Sequence, residues 1–459
     1  MHYNLSKARS QVERTKSYQD YLDEDRGQVP AHFRELGNDP VDDVAITPER
    51  YTSRAFYERE RAMWDKVWQA TFRVEQIPEV GDYQIYEICQ RSYLIVRVEK
   101  DTIKAYPNVC LHRGRLLRTK PGRAKSFTCP YHGFSWNLDG SNAHVPCEFE
   151  FPNIDRQHFG LPEVQVGIWA GWVFINPNPA AMPLEKYLDP IRDHYEPYLW
   201  DQSYLSLHVG KLLKVNWKVA QEAFMESFHA LMTHPQIMGY FDDIGSQYDV
   251  WQGKPHVSRM LTVFGAPSPY VREQISEQDV YADIAARIGK RLGIGDPEYR
   301  LQPGETARNI AAEAFRKLVE RMTGADVSHA SDAELLDGWY YSVFPNLMHW
   351  GGYGPNVWYR FRPWKDDHET TLMEVGMVAR LRQDEDPKPA PSMVFLDLDQ
   401  PWASVPTLGD LGPVLDQDSS NMAAVQQGLK ASPFLKQVMT ASYQECRIRH
   451  FHRTLDSYI

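Results

Sequence analysis

The chain of 459 residues is long enough for two domains of ordinary size, each with its own hydrophobic core. Its net charge of −11 argues against a general nucleic-acid-binding protein. The N-terminus shows no apolar signal segment, residues 167–175 form an apolar run too short to cross a bilayer, and five cysteines are an odd number for a disulfide framework. We therefore expect a cytoplasmic protein that contacts neither nucleic acid nor membrane.

The first part of the chain predicts an arm followed by a small β domain. Residues 1–45 are polar and rich in charge, so we expect a helical or partly ordered N-terminal arm. Pro48 predicts a helix start, and the apolar spacing after it predicts an amphipathic helix that reaches Trp68. Short β-rich segments follow from about residue 80 to 175. Residues 46–178 are therefore predicted to form an all-β domain with a leading helix.

The remaining residues, 179–459, mix helix and strand. Apolar stripes predict helices at 275–288 and 305–322, and a late helix is predicted at 418–429. Residues 357–362 and 371–377 predict strands. A sheet backed by helices, of the α+β class, is the expected architecture of this second domain.

Two Cys-His pairs lie inside the predicted β domain. Cys110 and His112 are followed, after sixteen residues, by Cys129 and His132, and a tight turn follows each pair. A Rieske-type 2Fe–2S cluster needs two thiolates on one iron and two imidazoles on the other. A Cys2His2 zinc site is the rival interpretation, but zinc fingers usually pair like ligands along the sequence. The spacing therefore favours the cluster.

A second metal site is predicted around His229 and His234. Two histidines five residues apart on one ideal helix would point about 140° apart. The residue before a proline is pushed out of the helical region, so Pro235 predicts that the helix ends near His234. Two imidazoles and one carboxylate form the facial triad of non-haem Fe(II) oxygenases. Taken alone, such a pair is more often a surface pair or a satisfied core group than a metal site.

These motifs resemble those of the Rieske non-haem iron oxygenases, specifically the catalytic (alpha) subunit. The segments CLHRGR and CPYHGFSW are similar to the oxygenase form of the Rieske domain, since Arg115 and Tyr131 stand where the respiratory form has an extra cysteine. The resemblance extends over about residues 50–445 and is also strong at 216–235. It implies an α+β fold in which a Rieske domain precedes a helix-grip catalytic domain with an antiparallel sheet.

The resemblance also implies the third iron ligand. The family has an acid ahead of a helix that ends Gln-x-Gly-Leu, and here that ending is at residues 426–429. Spacing to Gln426 favours Asp418, with Asp416 and Asp410 as alternatives. The alternative role of Asp418 is the N-cap of the helix that follows it, and one aspartate can serve both roles.

Glu226 is the acid that the resemblance implies as a link between the cluster of one subunit and the iron of its neighbour. It lies three residues before His229, about 60° around a helix. Glu222 is the alternative for this bridge, and an ordinary helix carboxylate is the interpretation without function. The implied electron path runs from the cluster through His112 or His132, Glu226 and His229 or His234 to the iron.

The activity implied by the resemblance is that of a terminal oxygenase. It uses O2 and electrons that originate from NAD(P)H and arrive through a separate reductase or a ferredoxin, since no flavin or nucleotide motif is present. Mono-oxygenation, dioxygenation and dealkylation all remain open, as do a homotrimer and an α3β3 assembly. A Rieske electron-transfer protein is a less favoured alternative, because a carrier needs no second iron site.

The predicted substrate pocket is apolar with few cations, which favours a hydrophobic and aromatic substrate. The aromatic content also permits a cage for a quaternary amine, so a mono-oxygenase or demethylase of such a compound is the alternative. Candidate lining residues are Phe224, Met225, Leu231, Met232, Met238, Phe241, Phe264, Tyr341, Phe344, Asn346 and Trp358.

Six basic residues crowd the loop between the two Cys-His pairs, on an otherwise acidic chain. An acidic ferredoxin-type partner could dock there. A solvated loop without a partner explains the same pattern. The six are Arg113, Arg115, Arg118, Lys120, Arg123 and Lys125.

Overall fold

The structure, a computed structural model, describes residues 16–459 except 42–43, 199, 354–355, 383–384, 386–387 and 432. Residues 1–15 of the predicted arm lie outside the described residues. The described helices are α1 (Tyr18–Glu24), α2 (Ala31–Arg34), α3 (Glu49–Thr52), α4 (Arg54–Met63), α5 (Leu184–Tyr187), α6 (Ile191–Tyr195), α7 (Trp217–Glu222), α8 (Ala230–Thr233), α9 (Glu277–Arg287), α10 (Gly289–Leu292), α11 (Ala307–Thr323), α12 (Asp332–Leu336), α13 (Leu411–Ala431) and α14 (Cys446–Asp456).

The described strands are β1 (Gln69–Arg73), β2 (Asp82–Ile88), β3 (Arg91–Glu99), β4 (Thr102–Pro107), β5 (Gly122–Arg123), β6 (Ser126–Thr128), β7 (Ser135–Asn137), β8 (Asn142–His144), β9 (Gln165–Trp169), β10 (Trp172–Asn176), β11 (Ser203–Leu213), β12 (Phe241–Val250), β13 (Val257–Phe264), β14 (Gly338–Val343), β15 (Leu347–Trp350), β16 (Asn356–Trp364), β17 (Asp367–Arg380) and β18 (Val394–Leu396).

The first ten strands form a small domain of antiparallel sheets. They pair in the orders β4–β3–β2–β5, β6–β7–β8 and β1–β10–β9. The first Cys-His loop lies between β4 and β5, and the second lies between β6 and β7. Leu94, Phe127 and Trp136 belong to a core that packs directly behind the two loops. The predicted small all-β domain, with both Cys-His pairs inside it, is confirmed.

The second domain is built on a larger sheet. Its described strands follow the order β12–β13–β14–β15–β16–β17–β11–β18, and neighbours are antiparallel except for the parallel pair β11–β18. The long helix α13 lies against α7 and α8. An α+β class with an antiparallel sheet and helices is therefore confirmed. Among the described residues, no helix combines the length and apolar character needed to span a bilayer.

Most predicted elements form, and their ends differ in two places. Helices α9 and α11 and strands β16 and β17 occupy the predicted segments. The helix predicted to reach Trp68 stops at Met63, because the chain turns there into β1. The late helix is longer than predicted and begins at Leu411, since Pro413 falls in the first turn, where a missing N–H costs nothing. Asp418 therefore lies inside a helix and is not its N-cap.

The described N-terminal residues pack against the larger sheet. The Tyr18 hydroxyl donates to Asp337 Oδ2 (3.0 Å), and the Tyr21 hydroxyl donates to Asp242 Oδ2 (2.7 Å). The ring of Phe33 lies edge-on to a buried tryptophan, with centroids 4.3 Å apart. This segment thus forms part of the packed body of the protein.

A buried ion-pair cluster joins the two domains. Arg360 on β16 donates to Glu374 on β17 through both Nε and Nη2 (2.8 and 2.7 Å). The remaining Nη1 of the same guanidinium donates to the carbonyls of Ala70 and Thr71 on β1. Burial alone would raise the pKa of Glu374, but Arg360 and Arg362 hold it well below its usual value. One arginine therefore ties the larger sheet to the backbone of the smaller domain.

Candidate functional site

The two Cys-His loops share one backbone hydrogen-bond pattern. The N–H groups of Cys110 and Cys129 each donate to the carbonyl five residues on (2.8 and 2.7 Å). Gly114 and Gly133, four residues after each cysteine, donate back to the cysteine carbonyl (2.9 and 3.0 Å). Both glycines have positive φ (76° and 84°), which residues with a Cβ rarely adopt. The loops are two copies of one turn, and each presents one Cys and one His.

The four side chains of these turns converge. The rings of His112 and His132 have centroids 4.8 Å apart, and Cys110 and Cys129 are buried. The Nδ1 atom of His112 is buried and has no hydrogen-bond partner. Burial, and then the charges of His132 and Arg113, lower the pKa of His112, so the ring is neutral at pH 7. A neutral, unpaired imidazole nitrogen beside two buried thiols fits a metal ligand.

The geometry of the turns separates a cluster from a zinc site. Ligand atoms of one tetrahedral zinc ion lie about 3.3–3.8 Å from one another, as the Zn–S and Zn–N bond lengths require. Within the part of the chain that the structure describes, only one set of three such donor atoms lies within 4.8 Å, and it contains none of these four residues. The turns therefore do not gather their donors around a single ion, whereas a two-iron cluster separates its thiolates from its imidazoles.

The set of three donor atoms belongs to His229, His234 and Asp418. Asp418 Oδ1 lies 2.8 Å from His234 Nε2 and 3.6 Å from His229 Nε2. His234 and Asp418 are buried, whereas His229 exposes 28% of its side chain. Two imidazole nitrogens and a carboxylate oxygen at these separations fit the two-histidine, one-carboxylate arrangement of non-haem iron.

A break between two helices brings the histidines to the same place. Helix α7 ends at Glu222 and α8 begins at Ala230, so Glu226 lies in a turn and the prediction that it sits on a helix is wrong. His229 precedes α8 directly, and His234 follows it with φ −125° and ψ 51°. These angles lie outside the helical region, as expected for a residue before a proline.

Side chains from elsewhere replace the missing helical hydrogen bonds in this turn. Arg447 donates to the carbonyl of Met225 (2.9 Å), and the N–H of Ser227 donates to the hydroxyl of Tyr248 (3.2 Å). A backbone group that hydrogen-bonds to a distant side chain does not need a hydrogen-bond partner within a helix. The partners lie on α14 and β12, so the local sequence alone does not reveal the break.

The Nδ1 atoms of His229 and His234 both have hydrogen-bond partners. Glu226 Oε1 lies 2.8 Å from His229 Nδ1, and Gln417 Oε1 lies 2.8 Å from His234 Nδ1. Gln236 donates to the same Gln417 oxygen (2.9 Å), which fixes the orientation of that amide. A proton held on each Nδ1 leaves each Nε2 with a free lone pair towards Asp418. Burial alone would lower the pKa of His229, but Glu226 and then Asp418 raise it above its usual value.

The alternative acids have other partners. Asp416 accepts from the N–H groups of Trp402 (2.8 Å) and Ala403 (3.0 Å). Asp410 is exposed and precedes α13. Glu222 accepts from the Tyr51 hydroxyl (2.9 Å) and lies 2.9 Å from a nitrogen of His452. Of the acids considered from the sequence as ligands, Asp418 is the one that the fold places at the two histidines.

An acidic cleft of about 220 Å³ opens beside the histidines. His229 and Asp418 contribute to its wall, together with Glu222, Glu226 and Glu445. Burial raises the pKa of Glu445, and the charges of Glu226 and Glu222 add to the effect. The cleft thus concentrates negative charge next to the candidate iron ligands.

Two protein-family models match this chain. The family model described as "Ring hydroxylating alpha subunit (catalytic domain)" matches residues 184–459, and the Rieske 2Fe–2S domain model matches residues 67–155. The chain belongs to the ring-hydroxylating oxygenase alpha subunits. The predicted membership of the Rieske non-haem iron oxygenases, a family of oxidoreductases, is thereby confirmed. The two matches imply a Rieske cluster and a mononuclear iron, and both donor sets described above fit those groups.

Relatives of this alpha subunit act on different compounds. Biphenyl 2,3-dioxygenase subunit alpha of Rhodococcus jostii (strain RHA1) is 28% identical over 218 residues, which cover 46% of this chain and 47% of that protein. The carnitine monooxygenase oxygenase subunit of Escherichia coli (strain K12) is 30% identical over 211 residues, which cover 45% and 55%. The chain thus spans about half the length of the relatives that it matches.

A solved structure shows the same fold over nearly the whole length. The quaternary ammonium Rieske monooxygenase CntA in complex with L-carnitine superposes with a TM-score of 0.61, at 19% identity, over 90% of this chain and 95% of that chain. At this identity the likeness speaks for the fold of the alpha subunit and not for its substrate.

Two residues, Gln417 and Arg291, were not predicted from the sequence. Gln417 is adjacent to Asp418, and only the packing of α13 against α8 shows that its amide reaches His234. Arg291 lies on α10, in a cavity whose remaining lining is apolar. The sequence predicted an apolar pocket with few cations, and Arg291 was not among the residues named for it. Among the predicted pocket residues, Phe264 lines that cavity, whereas Trp358 packs against Trp172 between the domains (4.7 Å).

Proposed function

We propose that this alpha subunit is a terminal oxygenase that uses O2 and NAD(P)H-derived electrons to oxygenate or dealkylate a hydrophobic, ring-containing small molecule. One observation carries the proposal: His229, His234 and Asp418 place three donor atoms within 4.8 Å in a chain that also contains a Rieske domain. An electron carrier needs the Rieske domain alone, so the second donor set argues for an oxygenase.

The cluster would be held by the two matching turns. Cys110 and Cys129 supply the thiolates for one iron, and His112 and His132 supply the imidazoles for the other. The unpaired Nδ1 of His112 supports this role, because a buried nitrogen without a partner is costly unless it is bound. His132 is exposed at the tip of its turn, so its ring is within reach of another protein surface.

The mononuclear iron would be held by Nε2 of His229, Nε2 of His234 and the carboxylate of Asp418. Iron bound on one face by three protein ligands has open positions for substrate and O2. Glu226 and Gln417 keep a proton on Nδ1 of the two imidazoles and so fix their tautomers and orientation. Asp418 and His234 are buried, which keeps water away from that side of the site.

Charge supports electron transfer between subunits, in a homotrimer or an α3β3 assembly. The tips of the cluster turns are basic at Arg113 and Arg115, and the cleft beside His229 is acidic. Opposite charges of this kind favour docking of the turns of one subunit onto the cleft of the next. Glu226 would then hydrogen-bond to the exposed His132 of the neighbouring chain while its other oxygen remains on His229.

The basic loop has fewer free cations for a reductase or ferredoxin than its sequence indicates. Arg118 donates to the carbonyls of Ser126 (3.0 Å) and Thr128 (3.1 Å), and Arg123 pairs with Asp82 (2.6 Å). Arg113 and Arg115 belong to the turn tips that face the cleft of the neighbouring subunit. Docking of an acidic electron donor therefore depends on Lys120 and Lys125.

Replacement of Glu226 by Gln tests the bridge. The amide retains the shape and can accept from His229, but it has lost the charge, so we expect both metal centres to remain and turnover to fall about 10–100-fold. Iron analysis, the visible spectrum of the cluster and single-turnover rates measure these effects. Unchanged transfer from cluster to iron in Glu226→Gln would remove Glu226 from the electron path.

A second candidate is the oxygenation of a quaternary ammonium compound. It is supported by the carnitine monooxygenase relative and by a group of aromatic rings in the second domain. The rings of Tyr340 and Trp350 have centroids 4.3 Å apart, and Tyr359 lies 6.5 Å from Trp350. Such a group can bind a methylated ammonium ion by cation–π attraction.

A single-turnover assay tests the function and separates the candidates. The iron-loaded protein is reduced chemically and exposed to O2 with aromatic acids, neutral aromatics or quaternary amines, and products are identified by mass spectrometry. We expect a product that depends on a ring compound and contains oxygen from O2, or that has lost an alkyl group. Cluster reoxidation without product, in protein that lacks mononuclear iron, would contradict the oxygenase proposal.

A further inference from the structure

Arg291 is an unpaired cation in an apolar cavity. The cavity, about 70 Å³ in volume, is lined by Arg291 together with Phe264, Ile284, Leu335 and Trp350 among other apolar residues. Within the described residues, Arg291 forms neither a hydrogen bond nor an ion pair. Its adjacent lysine, Lys290, is exposed on the same short helix. A guanidinium that lines an apolar cavity and has no acceptor in the protein remains available to an anionic ligand.

The side chain of Arg291 is accessible although protein atoms surround it. It retains a large accessible surface, yet burial lowers its pKa. Both observations fit a side chain that is surrounded by protein atoms and still has accessible surface. The tyrosines Tyr359, Tyr340 and Tyr240 act on it electrostatically, and Asp410 acts least of the named groups and forms no ion pair with it.

Three tyrosine rings lie beside side chains that line this cavity: Tyr240 lies 6.4 Å from Phe264, and Tyr340 and Tyr359 lie 4.3 and 6.5 Å from Trp350. Their hydroxyls have no hydrogen-bond partner among the described residues, and none of these hydroxyls is a fully buried, unsatisfied atom. Their oxygens therefore keep accessible surface near Arg291. A guanidinium and nearby phenolic O–H groups are donors without acceptors, which is the arrangement that binds an anion.

Tyr359 connects this space with the candidate iron ligands. Both Asp418 and Arg291 act electrostatically on its hydroxyl. Its ring centroid lies 4.5 Å from that of Phe224, in the turn that leads to His229, and 6.5 Å from that of Trp350, which lines the Arg291 cavity. A row of aromatic rings thus runs from Arg291 to the turn that carries the iron ligands.

We propose that Arg291 binds a carboxylate of the substrate, and that the substrate is a ring compound whose apolar body lies along Trp350, Tyr359 and Phe224. This inference rests on the proposed oxygenase function and narrows its substrate class. A neutral hydrocarbon would leave Arg291 without a partner. A quaternary ammonium group in this cavity would meet a like charge, with no carboxylate hydrogen-bonded there to offset it.

Binding measurements on the intact, purified protein test the proposal without turnover. The probes are benzoate, 2-naphthoate and biphenyl-4-carboxylate, each paired with its uncharged carboxamide, and the method is titration calorimetry. We expect at least one acid to bind about tenfold or more tightly than its amide, because the charged hydrogen bonds are lost with the amide. If no acid binds, or if each amide binds as tightly as its acid, the proposed substrate class is wrong.

Variants assign the preference to Arg291. Arg291→Gln should abolish the preference for the acid over the amide, and Arg291→Lys should retain part of it because the charge remains. Lys290→Gln removes the same charge from the neighbouring position and should leave the preference intact. A preference that survives in Arg291→Gln, with the fold verified by thermal unfolding, would overturn the role of Arg291.

The two proposals fail in distinguishable ways. Carboxylate binding with no product and no mononuclear iron would contradict the oxygenase function and leave the anion site in place. Product formed from a neutral aromatic or a quaternary amine, with no acid bound, would support the oxygenase function and overturn the carboxylate assignment.

Discussion

The cluster turns and the facial triad hold their histidines in opposite ways. In the turns, His112 has its Nδ1 buried and unpaired. At the triad, Nδ1 of His229 and of His234 is occupied by Glu226 and Gln417, and Nε2 faces Asp418. The nitrogen that remains free is the one able to bind metal, so the hydrogen-bond partners alone select a different nitrogen at each centre.

The two regions also differ in which parts of the chain stabilise them. The turns lie within residues 110–134 and are closed by their own backbone hydrogen bonds. The triad spans residues 229–418 and depends on α13 packing against α7 and α8. The cluster centre is therefore a local structure, whereas the iron centre exists only when the larger domain is folded.

Of these variants, Cys129→Ser should have the largest effect, and it should disrupt metal binding at the cluster turns only. Serine is a poor ligand for a 2Fe–2S cluster, so the visible absorption of the cluster should disappear while mononuclear iron remains. Cys147→Ser is the matched control, because Cys147 is an exposed free cysteine of the same domain. Loss of mononuclear iron in Cys129→Ser would show that the two centres are not independent.

Asp418→Ala should break the other region. Removal of a ligand should weaken iron binding by more than the roughly 10–100-fold typical of residues that only support a ligand. The cluster spectrum should not change, since the turns lie in the other domain. Asp410→Asn, on an exposed acid just before α13, is the control for iron content. Full iron occupancy in Asp418→Ala would assign the carboxylate elsewhere.

The contrast between local and distant structure explains what the sequence could predict. The cluster residues could be predicted from the sequence because their spacing and turns lie in one short segment. The break between the helices at Glu226 could not be predicted, because Arg447 and Tyr248 supply the compensating hydrogen bonds from distant elements. The start of α13 was misplaced because Asp418 resembles a cap, although Pro413 allows the helix to begin about two turns earlier.

Gln417→Ala should have the smallest effect and should sharpen the comparison. The ligand remains but His234 loses the acceptor on Nδ1, so we expect iron affinity to fall about tenfold, at the lower end for such partners. Gln427→Ala, at an exposed position of the same helix, should leave the affinity unchanged. Competition with a chelator measures both. Equal iron affinity in the two variants would exclude orientation of His234 by Gln417.

The arginine shared between the domains has a mechanical consequence. Arg360 holds Glu374 in the larger sheet and the carbonyls of Ala70 and Thr71 in the smaller domain with a single rigid guanidinium. Any rotation of the small domain would have to separate this buried charge from its partners. The two candidate metal centres of one chain are accordingly held at a fixed separation.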